Sequence, residues 1–190
     1  MCSAEAAIYS EQDRQLLLEL AADSIRSGLD EGRALTVRPE SYPERLRETR
    51  ATFVTLNRSG ELRGCIGHLE AIQPLVADVA ENAWAAAFRD PRFQPLKPHE
   101  LAGLEIHISV LTPPRPMAFE SEQDLLRQIR PGVDGLILED GAFKGTFLPS
   151  VWESITDPGE FLMHLKRKAG LPFNHWSESV KVFRYEAEGF

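Results

Sequence analysis

Leu62-Arg63-Gly64-Cys65-Ile66-Gly67 sets a thiol, a guanidinium and two glycines close together, directly after the turn signal Asn57-Arg58-Ser59-Gly60. Glycine weakens an ordinary strand, because it has the most backbone entropy to lose and no side chain to pack. A strand that tolerates two of them needs a bulge, a close backbone approach or a bound ligand. Strict strand alternation places Leu62, Gly64 and Ile66 on one face and Arg63, Cys65 and Gly67 on the other, so thiol and cation share a face.

Working outward, Thr52-Phe53-Val54-Thr55-Leu56 is β-branched and aromatic and forms a hairpin with the glycine-rich strand. Upstream, Ser10 with Glu11 and Asp13 starts a helix that carries Leu16, Leu17, Leu20, Ala21 and Ile25 at helical spacing and ends at Gly28 or Gly32. Downstream, Pro74 opens a helix with Leu75, Val79, Ala83 and Trp84, poor enough in bulky polar residues to lie close against a sheet. Ile106, Ile108 and Val110 alternate with Glu105, His107 and Ser109 as a half-buried strand, which Pro113, Pro114 and Pro116 end. A helix from Ser121 to Ile129, a second hairpin over 135–148, a helix over 158–169 and a strand over 181–186 complete the order. Two hairpins predict an α+β fold, a largely antiparallel sheet with flanking helices. The length fits a single domain over 1–190, with room for two unequal subdomains and a frayed terminus at 1–9.

Hydrophobic content of 43% and charged content of 26% are ordinary for a globular chain. A net charge of -8 disfavours general binding to nucleic acid. The run Lys166-Arg167-Lys168 reads as the solvated last turn of a helix, where cations suit the dipole. Two cysteines, Cys2 and Cys65, form no disulfide framework and suit a reducing compartment. There is no signal-peptide pattern and no membrane-length apolar run, so a cytoplasmic protein is expected.

Several blocks in order carry a family resemblance: Ala51-Thr52-Phe53-Val54-Thr55-Leu56 leading into Leu62-Arg63-Gly64-Cys65-Ile66-Gly67, then Asp90-Pro91-Arg92-Phe93, Pro131-Gly132-Val133-Asp134-Gly135, Gly145-Thr146-Phe147-Leu148-Pro149 and Lys168-Ala169-Gly170-Leu171. The chain resembles AMMECR1-domain proteins, the type also known as component A of the AmmeMemoRadiSam system. The resemblance implies two unequal subdomains, with the glycine motif near a cleft. It also implies association with a Memo-type protein and a radical SAM enzyme. It brings no established activity. His68, where a small or hydroxyl residue is expected, departs from the pattern.

Cys65 is the sharpest chemical candidate. A neighbouring cation or backbone N–H groups lower a thiol's pKa and make it a nucleophile. Arg63 is the expected cation, and Gly64 and Gly67, with Ile66 between them, are the expected backbone cradle for an anion. Against this stands a buried structural thiol, common among free cysteines. A nucleophile also needs a partner. His107 could supply it if its strand lies beside the motif, and His68 is nearer in sequence. Asp90 and Arg92 read either as a ligand clamp or as a helix stop with a local ion pair. Thr146, Phe147 and Trp152 read as a groove lining or as core. No zinc, P-loop or dinucleotide pattern appears, so neither metal nor cofactor is expected. Two functions follow: a module that binds a small molecule or partner, or an enzyme or group carrier that uses Cys65 on an anionic small substrate.

Overall fold

The computed structural model describes residues 8–190. Cys2 and most of the expected frayed terminus lie outside the described residues. Tyr9, by contrast, is buried. In chain order the elements are α1 (Glu11–Glu31), β1 (Ala51–Arg58), β2 (Glu61–Gly67), α2 (Leu75–Phe88), β3 (Leu104–Leu111), β4 (Arg115–Pro116), α3 (Glu122–Gln128), β5 (Gly135–Asp140), β6 (Phe143–Phe147), α4 (Pro158–Lys168), β7 (Lys181–Tyr185) and β8 (Ala187–Gly189). They form two compact units. One runs up to Leu111 and regains Glu188–Phe190; the other is Thr112–Ala187. The fold is α+β, with two four-stranded sheets ordered β2-β1-β3-β8 and β4-β7-β5-β6. The predicted helices and hairpins are all present, and β4 and β8 are additions that no sequence pattern announced.

In the first unit, Ser10 accepts the N–H of Asp13 while the Asp13 carboxylate takes the Ser10 N–H, a reciprocal cap that starts α1. Val54 and Leu56 of β1 and Ile108 and Val110 of β3 face α1 and α2 in one apolar cluster. The end of the chain closes this unit. Phe190 exchanges backbone bonds with Ile108, and Glu188 accepts the N–H groups of Ile8 and Tyr9 and a bond from Arg14.

The β1–β2 hairpin turns at Ser59 and Gly60, both with positive φ, as a two-residue turn requires. Next to the turn Arg58 faces Glu61 and Asn57 faces Leu62; the register then shifts, and Leu56 faces Gly64. Arg63 is left without a partner on β1, in a β-bulge. Beyond it Thr55 faces Cys65 and Phe53 faces Gly67. Gly64 thereby falls on the helix-covered side, and Cys65 on the side that α1 and α2 leave bare.

In the second unit, α3 and α4 pack on the sheet through Leu125, Phe161, Leu162 and Leu165. Ser121 caps α3 through the N–H of Asp124, as its sequence predicts. The expectation of a solvated basic run fails at Lys166. This residue is 2% exposed, with Nζ 2.6 Å from Glu122 and 5.4 Å from the Trp176 ring. A buried ammonium is tolerated because it is paired.

A Cβ on Gly64 would lie 2.1 Å from the carbonyl oxygen of Ala86 in α2. Backbone cannot swing aside as a flexible side chain does. Gly64→Ala is therefore expected to destabilise the chain by about 2–4 kcal/mol. Gly103→Ala, at φ +81 in open space, should cost only about 1 kcal/mol of left-handed backbone strain. Urea unfolding of both variants checks this, and equal losses would contradict the close approach.

Candidate functional site

The bare side of the first sheet carries a row across three strands. Thr55 of β1 faces Cys65 of β2 on one flank and His107 of β3 on the other. Directly opposed residues share a face, so thiol, hydroxyl and imidazole stand side by side. The Thr55 hydroxyl donates to Cys65 Sγ at 3.2 Å. Cys65 is partly exposed and His107 is exposed. Ser109 and Glu105 flank His107 on the same face of β3.

The outer edge of β2 is closed by the loop after α2. Asp90 Oδ2 accepts the Cys65 N–H at 2.9 Å, and Arg92 Nη2 donates to the Cys65 carbonyl at 3.3 Å. Asp90 and Arg92 hold each other through two charge-assisted bonds, at 2.9 and 2.6 Å. The pair thus gives β2 the acceptor and donor that a neighbouring strand would supply, and it blunts an open edge. Hydrogen bonds from Arg92, then from the Cys65 N–H, keep the buried Asp90 carboxyl well below the usual range. The Arg92 guanidinium is half exposed and within Coulombic range of the Cys65 sulfur.

Arg63 is committed elsewhere. Its Nε and Nη2 grip both Glu100 oxygens at 2.8 and 3.0 Å, and Nη2 also reaches the Gln94 carbonyl. These bonds hold Glu100 down to about 2. The cation bound at Cys65 is Arg92, through the backbone carbonyl. The expected glycine cradle is filled from within the unit. The space beside Gly64 belongs to the Ala86 carbonyl, and a Cβ on Gly67 would lie 2.5 Å from Phe53 Cγ. Ile66 packs against the apolar core. The Cys65 N–H, a possible oxyanion donor, is taken by Asp90. His68 lies on the helix side, its N–H on Thr52 O and its Nε2 2.9 Å from the fully buried Asp78.

A family model described as AMMECR1 matches residues 18–190. The chain belongs to the AMMECR1 family. A protein of Methanothermobacter thermautotrophicus is 41% identical over 183 residues, 95% of each chain. One from Methanocaldococcus jannaschii is 44% identical over 155 residues, covering 80% of this chain and 77% of its own. The crystal structure of uncharacterized protein PH0010 from Pyrococcus horikoshii superposes with a TM-score of 0.79 at 39% identity, over 92% of this chain and 88% of that one.

The remaining candidates of this AMMECR1 protein lie in the second unit. Trp152 is buried, stacked on Phe161 with ring centroids 3.9 Å apart, and it donates to the Asp134 carbonyl at 2.7 Å. It belongs to the apolar core of this unit. Thr146 bonds the Leu136 carbonyl, and Phe147 packs edge-on against Phe161. Thr55 is the member of this candidate row that sequence reading missed. The strand registers and its bond to Sγ identify it. Among the described residues no cluster of side chains suits a metal ion, and no helix is long and apolar enough to cross a membrane.

Both edge carboxylates are more acidic folded than unfolded. Their contribution to stability is complete above the ordinary carboxylate pKa and is lost as pH falls through the folded value. For Glu100 that window runs from about 4.5 down to about 2. The urea midpoint is expected to fall through this window, and Glu100→Gln and Asp90→Asn should each flatten the fall. An unchanged slope in both variants would show that the pairs form equally well in the unfolded chain.

Proposed function

We propose that this AMMECR1 protein is a binding module whose ligand is read on the bare face of the first sheet, around Cys65, Thr55 and His107. One observation carries the reading. The groups that catalysis at the glycine motif would need are engaged inside the unit, whereas the thiol–hydroxyl–imidazole row stays partly open. Arg63 serves Glu100, the Cys65 N–H serves Asp90, and both glycines are filled by neighbours. A polar face with few fixed groups suits recognition by hydrogen bonds. The ligand is a small molecule or a segment of a partner. Memo-type and radical SAM proteins are the partners that the family resemblance brings to this proposal.

A second reading keeps Cys65 as a nucleophile or group carrier for an anionic small substrate. The Thr55 hydroxyl on Sγ and the half-exposed Arg92 on the Cys65 carbonyl favour it, because they set a polar partner and a cation around the residue.

The two separate in binding experiments with isotopically labelled protein, mixed in turn with a metabolite library and with purified Memo-type protein. For a module, amide shifts should cluster on Thr55, Cys65 and His107. Binding should survive Cys65→Ser within about twofold and weaken at least roughly tenfold in Thr55→Arg, which fills the face. Shifts confined to other surfaces would end the module reading. Binding retained with a mass adduct on Cys65, absent in Cys65→Ser, would establish the thiol reading.

A further inference from the structure

We infer that Thr55 is a positioning residue that couples the Cys65 thiol to His107 as its proton acceptor, through one hydroxyl in the row of β2, β1 and β3. The inference rests on the second, thiol-based reading and supplies the base that the motif itself lacks. His107 and Cys65 are two strand spacings apart, about 10 Å, too far for direct proton transfer. Thr55 stands between them. Its hydroxyl is 3.2 Å from Sγ, and it is the register partner of His107, a cross-strand distance of about 5 Å between Cβ atoms. A threonine hydroxyl is both donor and acceptor, which is what a relay requires.

The step balances without an external reagent. In the resting arrangement Thr55 donates to Sγ; for the transfer its hydroxyl turns toward His107, and Cys65 Sγ–H then gives its proton to Thr55 Oγ1 as Thr55 gives its own to an imidazole nitrogen of His107. The products are a thiolate, an intact hydroxyl that now donates to it, and an imidazolium. One negative and one positive charge form, and no electrons change owner. The other charged groups around the row are placed to permit this. Arg63, on β2 itself, is bound to Glu100, and the Asp90–Arg92 pair closes the edge with Arg92 Nη2 on the Cys65 carbonyl. Glu105 lies next along the same face of β3 from His107.

The test is the rate of Cys65 alkylation by iodoacetamide against pH, read by intact mass on the full chain in a Cys2→Ser background. Thr55→Val is expected to move the inflection up by about one unit and to slow the reaction near pH 7 roughly tenfold. Thr55→Ser should restore it, which a merely structural role of the side chain would not predict. His107→Gln should slow the reaction when Thr55 is present and do little in Thr55→Val, because coupled residues are not additive. A reactive Cys65 with the same profile in Thr55→Val overturns the relay alone. Independent, multiplying effects of the two variants overturn it as well. A Cys65 that stays unmodified in every variant until urea is added overturns the thiol reading and the relay together.

Discussion

The bulge at Arg63 decides what this protein offers to its surroundings. The turn alone pairs Arg58 with Glu61 and Asn57 with Leu62. Continued without interruption, that register would set Thr55 against Gly64 and the fully buried Val54 against Cys65. The thiol would then point into the helices, and a one-residue slip would have exchanged the two faces of β2. The extra residue reverses this. Gly64 turns toward α2 and Cys65 turns out.

The inward placement of Gly64 has a second consequence. With no Cβ there, β2 lies directly against the backbone of α2 at Ala86. The helix ends at Phe88, and the chain leaves it beside the edge of β2. Asp90 follows at once, placed to take the Cys65 N–H, with Arg92 on the carbonyl. Strand, helix end and edge-closing ion pair are thus one construction. The cation expected from β2 itself is replaced by one that arrives from the helix end, because the bulged Arg63 turns to Glu100 instead.

Local patterns made most elements legible. The caps at Ser10 and Ser121, the alternation in β3 and the turn at Ser59-Gly60 each act within a few residues, and each was readable. What escaped depends on distant partners. β8 is three residues without alternation, and it is a strand only because β3 is there to receive it. The burial of Lys166 depends on Glu122 and Trp176, which no spacing brings together. In the candidate site, Cys65, Asp90 and Arg92 were recognisable by type. The glycines were recognisable as unusual, and what crowds the space beside them is the Ala86 carbonyl at Gly64 and the Thr52 carbonyl and Phe53 ring at Gly67. Thr55 carries no chemical signal in sequence, being a β-branched residue in a strand.

The same physical rule separates structural from available groups in both units. A buried polar group must find a partner or lose free energy, so a side chain whose capacity is met internally is held in place and has little left for a ligand. Trp152 meets that condition through Asp134 and Phe161, and Arg63 meets most of it through Glu100 and Gln94. Asp90 meets it fourfold, with bonds from the Cys65 N–H and from three N–H groups of Arg92. Cys65 Sγ takes one bond from a hydroxyl that is itself able to face two ways. Unmet capacity at the glycine motif lies on the sulfur and on the buried Nη1 of Arg63. The sulfur stands on the side that the bulge turned outward, away from α1 and α2.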